Sequence, residues 1–323
     1  MGLQHASILS VLTKQRVCVY EANSKIRDLA QNLAQNLCVH HTLADFLNEP
    51  KVSAVFLCTP IQTHAELSKL IMREARSEVG LFVEKPLAAS LEEAQEVATV
   101  AGSQGRKSMV GFQRRFNGVY SKLKNLLETG GLGDLRYYRA HAFSADVLRT
   151  SSGWKFEPPN GGAVLDFGVH MMDLLIWYFG QPELRFARRR KLHSKEVEDL
   201  AYASLDHRGV VGELEIGWSM RNYAPNEHRI ELYGTKGIAV ATDDNLVVYH
   251  DDQKNQEAVE TVKTYHAFDL TPNTPYLFTY PEYVLEDMYF LKCVRENKAA
   301  SPDFSQALSV NRLAHEILLS ALS

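Results

Sequence analysis

Asp166, His170 and Asp173 interrupt an otherwise apolar run that extends from Gly161 through Tyr178. Read as a helix, the run is apolar on nearly every face, which predicts burial. The three polar residues are spaced i, i+4, i+7 and therefore share one stripe. An unpaired buried polar group costs roughly 1–3 kcal/mol, so the stripe must find partners or line a cavity. One reading is a core histidine beside paired or capping carboxylates, the usual state of buried polar groups. The other is a His–Asp pair in a pocket, with His170 accepting a proton near neutral pH. Lys85 is a second chemical candidate, within Glu84-Lys85-Pro86 at the end of a short apolar run. Most such lysines are surface groups. The Lys85-Pro86 bond is also a candidate for the cis form, and a tight turn there would fix the side chains of Glu84 and Lys85.

The elements around these residues alternate. Helical spacing covers Leu3–Lys14, Lys25–Asn36, Thr63–Arg76 and Leu91–Gln104, and β-type runs cover Arg16–Tyr20, Val52–Cys58, Leu81–Val83 and Lys107–Phe112. Short apolar runs alternating with amphipathic helices predict a parallel α/β sheet. Ligands bind such sheets beyond the carboxyl ends of the strands. Glu21, Thr59-Pro60, Glu84-Lys85-Pro86 and Gly111–Arg114 stand at those ends. A carboxylate in the position of Glu21 can accept hydrogen bonds from the ribose hydroxyls of NAD and repel the extra phosphate of NADP. Glu21 alone is equally a solvated glutamate in a turn, and Lys25 and Arg27 lie nearby.

Beyond a helix at Asn117–Thr129, β runs follow at Asp134–Phe143, Leu184–Leu192, Glu198–Asp206, Val210–Trp218, His228–Gly234 and Ile238–Thr242. Alternation in Val211–Trp218 suggests a sheet with one covered face. The basic run from Arg185 to Lys191 reads as a solvated strand edge, with a phosphate-bearing substrate as the functional alternative. Asp269–Tyr283 reads as an irregular loop, and Tyr283–Asn297 and Ser305–Leu322 as closing helices.

The chain has 323 residues, room for two domains with separate cores. Its composition, 45% hydrophobic and 23% charged, is that of a soluble protein. A net charge of −4 leaves no basic footprint for nucleic acid. No apolar run reaches the ~18 residues of a membrane span, and the first residues lack a signal-peptide pattern. The four cysteines, Cys18, Cys38, Cys58 and Cys293, show no close pairing and no metal spacing. No metal is expected, and a reducing cytoplasm is the default.

Four motifs then coincide: Leu-Cys-Thr-Pro with His64 just beyond, Phe-Val-Glu-Lys-Pro, Gly-Phe-Gln-Arg-Arg-Phe at Gly111–Phe116, and the Gly161–Asp173 segment. In this order and spacing the chain resembles the glucose–fructose oxidoreductase / inositol dehydrogenase (Gfo/Idh/MocA) family over most of its length. The resemblance implies an N-terminal Rossmann-like domain (1–112) and a C-terminal α+β domain (113–323) with an open, mostly antiparallel sheet. It implies transfer of a hydride between NAD(P), NAD in preference to NADP, and a secondary alcohol of a sugar, sugar nucleotide or cyclitol. Carried over by motif, Lys85, Asp166 and His170 are the catalytic set. Gly2, Glu21, Thr59, Pro60, His64, Glu84 and Lys85 fall where the family meets the cofactor. Arg114, Trp154, Lys155, Asp166 and His170 fall on the substrate side. The family also implies a homodimer or homotetramer through the outer face of the second sheet. An NAD-dependent glycosidase of the same family and a non-catalytic binding or regulatory member are the alternatives.

The chemistry suits these residue types. Removing a hydride from a carbinol carbon requires loss of the hydroxyl proton, which a neutral imidazole can accept. A lysine cation favours alkoxide charge. The family pattern opens with a strand and a Gly-x-Gly-x-x-Gly turn, of which Gly2 matches only the last glycine. The absent first strand belongs between Arg16–Tyr20 and Val52–Cys58, so a gap in the sheet is expected there. An upstream extension of ~15–20 residues, one strand and a glycine turn, is the corresponding expectation.

Overall fold

The computed structural model describes residues 1–33, 37–149, 153–158, 161–223, 225–252, 259–272, 274 and 280–322. The chain divides into two units, Met1–Gly111 with Thr274–Leu308 and Phe112–Asn273 with Ser309–Ser323.

The first unit alternates helix and strand: α1 (Gly2–Thr13), β1 (Val17–Tyr20), α2 (Ser24–Leu33), β2 (Leu37–His40), α3 (Leu43–Leu47), β3 (Ala54–Leu57), α4 (His64–Glu74), β4 (Gly80–Glu84), α5 (Leu91–Ser103) and β5 (Ser108–Gly111). β4 is buried along its whole length because β3 and β5 flank it in parallel. α5 starts where Ser90 and Glu93 form a reciprocal capping box. β1 and β2 form a separate parallel pair. The gap expected between β1 and β3 is therefore present, and the sheet stands in two pieces. α1 packs against both pieces.

The second unit contains α6 (Gly118–Glu128), β6 (Leu135–Phe143), α7 (Asp146–Arg149), α8 (Val169–Phe179), β7 (Glu183–Arg190), β8 (Leu200–His207), β9 (Val210–Gly217), β10 (Glu227–Gly234), β11 (Gly237–Ala241), β12 (Asn245–Asp252), β13 (Val259–His266) and α9 (Ala267–Leu270). Its strands form one eight-stranded sheet in the order β13-β12-β11-β10-β6-β9-β8-β7. Every neighbouring pair is antiparallel except β6 with β9. Burial alternates along β8 and β10, and α6 and α8 pack against strands of the sheet.

α10 (Pro281–Arg295) returns to the first unit, and α11 (Phe304–Leu318) contains the last of the three boundaries between the units. Residues Thr274–Leu308, expected within 113–323, group with the first unit. The reason is apolar packing: Phe290 of α10 lies 5.6 Å from Phe56 and 5.7 Å from Phe82, ring centre to ring centre. A Cβ on Gly80 would meet Val294 at 2.5 Å, so β4 and α10 approach closely. The loop expected over Asp269–Tyr283 ends earlier, since α10 starts at Pro281; residues 273 and 275–279 lie outside the described residues. No described helix is long and apolar enough to cross a membrane.

Candidate active site

In the first unit the candidate cofactor residues stand at strand ends. Glu21 directly follows β1, and its Oε1 accepts the Asn23 N–H at 2.8 Å. Arg27, a possible competitor for Glu21, donates to the Glu21 backbone carbonyl at 3.1 Å and not to the carboxylate. Gly2 is the first residue of α1, and a Cβ there would meet only Cys58 at an ordinary 3.7 Å.

Thr59 and Pro60 are exposed beyond β3, with the Thr63 hydroxyl 2.7 Å from Thr59 Oγ1 and 2.8 Å from the Pro60 carbonyl. His64 is buried behind them. Its Nε2 is 2.8 Å from the Thr59 carbonyl and its Nδ1 is 2.8 Å from the Pro86 carbonyl. Burial lowers the His64 pKa against the pull of both carbonyls. A neutral imidazole donates through one nitrogen only, so His64 makes one true hydrogen bond and one contact. Either way it joins the end of β3 to the turn after β4, where the Lys85-Pro86 bond is cis.

Lys85 is half-buried, and its N–H donates to Glu84 Oε2 at 3.0 Å. The other Glu84 oxygen lies 3.0 Å from His5 Nε2, and His5 Nδ1 lies 2.9 Å from Asp287 Oδ1. All three side chains are buried. Burial works to lower the His5 pKa, but the hydrogen bonds that its protonated ring donates to Asp287 and Glu84, with the charges of both carboxylates, outweigh it and raise the pKa to about 10. Burial likewise opposes both carboxylates. For Glu84 the His5 bond and charge and the Lys85 N–H win, holding the pKa below its ordinary value, whereas for Asp287 burial wins and the pKa is raised. His5 is the ionic support behind Glu84 and the Lys85 turn. Sequence reading misses it, because a histidine on the buried face of α1 gives no hint of an aspartate 282 residues away.

In the second unit the Gly161–Asp173 segment is not one uniform helix. A π-helical turn at Val164–Gly168 carries Asp166 and leads into α8, whose second residue is His170. The two glycines have steric reasons. A Cβ on Gly161 would lie 2.4 Å from the Lys155 carbonyl, and one on Gly162 only 2.1 Å from Glu198 Oε1. Gly162 also has φ +114, outside the range of ordinary L-residues. The close approach lets buried Glu198 accept the Val164 N–H at 3.2 Å, at the head of the turn. Wide π-turns inserted in helices recur at functional sites.

The polar stripe then divides. Asp173 is fully buried and accepts two hydrogen bonds from Arg115, at 2.8 and 2.7 Å. The Arg115 guanidinium also lies 5.4 Å from the Trp177 ring centre. Asp173 is thus a paired core carboxylate. His170 is 5% exposed, and its ring sits edge-on to His228 with centres 5.8 Å apart. His228, on β10, is buried with its Nδ1 3.2 Å from Asp243 Oδ2. Burial, and then the Arg114 charge, lower the His228 pKa in spite of Asp243, so this ring is neutral near pH 7. Burial also opposes the Asp243 carboxylate, but Arg114 and His228 outweigh it and hold its pKa low. His228 Nε2 has no hydrogen-bond partner among the described residues.

Arg114, expected on the substrate side, donates to Asp243 at 2.5 Å, and Tyr120 donates to the same oxygen at 2.9 Å. Its charge is matched within its own unit. Lys155 forms an ion pair with Asp146 at 3.5 Å and lies 5.6 Å from the Trp218 ring centre. Trp154 begins a short 3-10 turn, and its side chain lies outside the described residues. His228 and Asp243 are absent from the sequence-based site. Their one signal is His228 at a position where the alternation of β10 points inward.

Two family models cover most of the chain. Residues 3–112 match the oxidoreductase family, NAD-binding Rossmann fold, and residues 120–240 match the GFO/IDH/MocA C-terminal domain. Among curated proteins, the chain is 26% identical over 311 residues to scyllo-inositol 2-dehydrogenase (NAD(+)) of Bacillus subtilis, covering 92% of this chain and 84% of that protein. It is 27% identical over 271 residues to myo-inositol 2-dehydrogenase of Thermotoga maritima, covering 78% and 76% respectively. Among solved structures, levoglucosan dehydrogenase in complex with NADH superposes with a TM-score of 0.87 at 19% identity, covering 98% of this chain and 93% of that one. With both halves matched to one family and the fold shared along nearly its whole length, the chain belongs to the GFO/IDH/MocA family of NAD-binding oxidoreductases.

Proposed function

We propose that the chain is a dehydrogenase that uses NAD to oxidise a secondary alcohol of a small polyhydroxylated compound, a cyclitol, sugar or sugar nucleotide, or runs the reverse reduction. The observation that carries this reading is His170, buried at the head of α8, one turn beyond Asp166 on a π-helical turn. The inositol dehydrogenases among its relatives support the substrate class. In this reading His170 takes the hydroxyl proton, Asp166 orients it, and Lys85 supplies a cation that favours alkoxide charge. NAD, when bound, supplies the hydride acceptor.

The residues present in the first unit suit that cofactor. Glu21 places a carboxylate after β1, Thr59 and Pro60 are exposed after β3, and His64 and Glu84 hold the turns that carry them. Gly2 stands in the first turn of α1, where helix N–H groups favour phosphate. Lys155, Trp154 and Arg114 complete the proposed substrate side, with Arg114 acting through its ion pair to Asp243.

A homodimer or homotetramer belongs to the same reading. The outer face of the eight-stranded sheet carries half-buried Tyr137, Tyr202 and Tyr233, residues typical of interfaces. A cytoplasmic location fits the four free cysteines. The test is NADH formation across a panel of cyclitols, sugars and sugar nucleotides, with light scattering for the oligomer. Turnover of at least one polyol with NAD is expected. NAD bound without turnover of any of them would overturn the assignment.

A further inference from the structure

The parallel pairing of β1 and β2 sets Cys18 opposite Cys38. His40 follows Cys38 by two residues and so shares its face of the strand. Glu49, beyond α3, brings Oε2 to 3.2 Å from His40 Nε2, and Cys38 Sγ lies 3.7 Å from the same nitrogen. One donor atom from each of Cys18, Cys38, His40 and Glu49 lies within 4.8 Å of all the others. Among the described residues this is the one such group of His, Cys and acidic side chains. All four residues are half-buried and accessible to an ion; Cys18 lies on β1, Cys38 and His40 lie on β2, and Glu49 follows α3.

We propose that Cys18, Cys38, His40 and Glu49 form a four-coordinate site for a divalent transition metal, zinc by its chemistry. Two thiolates, an imidazole and a carboxylate are borderline-soft donors that suit zinc and reject magnesium or calcium. Tetrahedral zinc with bonds of about 2.0–2.3 Å has donor–donor edges of about 3.3–3.8 Å. The 3.7 Å edge lies in that range and the 3.2 Å edge is just below it. The 4.8 Å ceiling on the rest leaves a contraction of about an ångström, within the reach of side-chain rotation. The Arg16 guanidinium also touches Cys38 Sγ. Arg16 is exposed, so it can swing into solvent when a cation arrives. Four protein donors leave no open position, which makes the site structural.

The location supplies the reason for a clip. β1 pairs with β2 and with no other strand among the described residues. An isolated two-stranded pair is marginally stable in water. The four donors come from β1, β2 and the segment after α3, so a bound ion cross-links three segments, and its binding energy becomes local folding energy. The clipped piece carries Glu21 at the end of β1, three residues from Cys18. The site stands whether or not the chain turns over a polyol.

The test uses the full chain, reduced and stripped with a chelator, and titrated with cobalt(II) and then zinc. One equivalent of cobalt should bind with the intense visible bands of a tetrahedral ion and a thiolate-to-cobalt charge-transfer band, and zinc should displace it. Zinc should raise the melting temperature, and the doubly substituted Cys18→Ser/Cys38→Ser chain should lose both effects. Glu49→Gln should weaken binding at least ~10-fold, the floor set by loss of even an outer-shell partner. Alkylation mapped on the unsubstituted chain removes dependence on the variants folding: zinc should protect Cys18 and Cys38 and leave Cys58 and Cys293 unchanged. A weak octahedral cobalt spectrum without charge transfer, or equal alkylation of Cys18 and Cys38 with and without zinc, would overturn the site.

Discussion

His5→Gln removes a buried cation while keeping one side-chain donor. In the folded chain the His5 pKa stands at about 10 against an ordinary 6.5. At 1.36 kcal/mol per unit, that difference corresponds to a linkage on the order of 5 kcal/mol. Because the pKa is raised on folding, the contribution is complete below pH ~6.5 and fades as pH climbs toward ~10. Asp287, whose own pKa is raised by burial, takes back part of it at neutral pH. The net loss expected for His5→Gln near pH 7 is about 3–5 kcal/mol, the usual cost of leaving a buried charge without its partner.

Two measurements check this. Histidine-labelled protein should show one imidazole, absent from His5→Gln, that stays protonated through neutral pH. Amide exchange in α1 and β4 should show the gap between the two proteins narrowing from pH 6.5 to pH 10. Exchange is preferred to a single melting curve because a chain of two units need not unfold in one step. A His5 resonance titrating near 6.5, or a stability gap that is constant with pH, would refute the reasoning.

His170→Ala and Lys85→Ala should each lower kcat by at least ~10²-fold with circular dichroism unchanged, the scale of a lost acid–base group; near-normal turnover in both would remove these residues from the chemistry. Glu21 should give NAD a higher kcat/KM than NADP, and Glu21→Gln should narrow the ratio, since a carboxylate beside a 2′-phosphate is repulsive. Equal ratios in the two proteins, measured with one substrate, would count against that role. Gly162→Ala should cost about 1–3 kcal/mol in thermal unfolding, because its Cβ would press on Glu198 at a backbone angle that alanine resists.

The parts of the fold legible in the sequence are those with strong local periodicity. The expected strand at Leu81–Val83 is the centre of β4, and the expected helix at Leu91–Gln104 is α5 within a residue. β2 is missed because Leu37-Cys-Val-His is too short to show a period. β12 and β13 are missed because they lie at one end of the sheet and carry polar residues such as Asp251, Asp252 and Lys263 among the apolar ones. The π-helical turn is illegible for another reason: the residues of Val164–Gly168 suit an α-helix, and the partner at the head of the turn is a remote side chain, Glu198, which accepts the Val164 N–H. Tertiary contact decides there, and propensity does not.

The same distinction runs through the candidate site residues. Glu84-Lys85-Pro86 and Asp166-x-Gly-x-His170 are short in sequence, because a turn or a single helical turn suffices to present each one. Their supports are remote. His5 needs Asp287, and His170 meets His228, which leans on Asp243 and Arg114. None of those partners lies within one element of the residue it supports, so no spacing rule could pair them. Cys18 and Cys38 are the sharpest case. In sequence they show no metal spacing, and in space they are cross-strand neighbours, because β1 and β2 run parallel in a register that sets them opposite each other. A connection through α2 makes twenty residues of chain into a single strand-to-strand step, and His40 and Glu49 then fall within reach. Parallel topology hides such clusters from any local reading, since partners across a parallel ladder are always separated by a crossover.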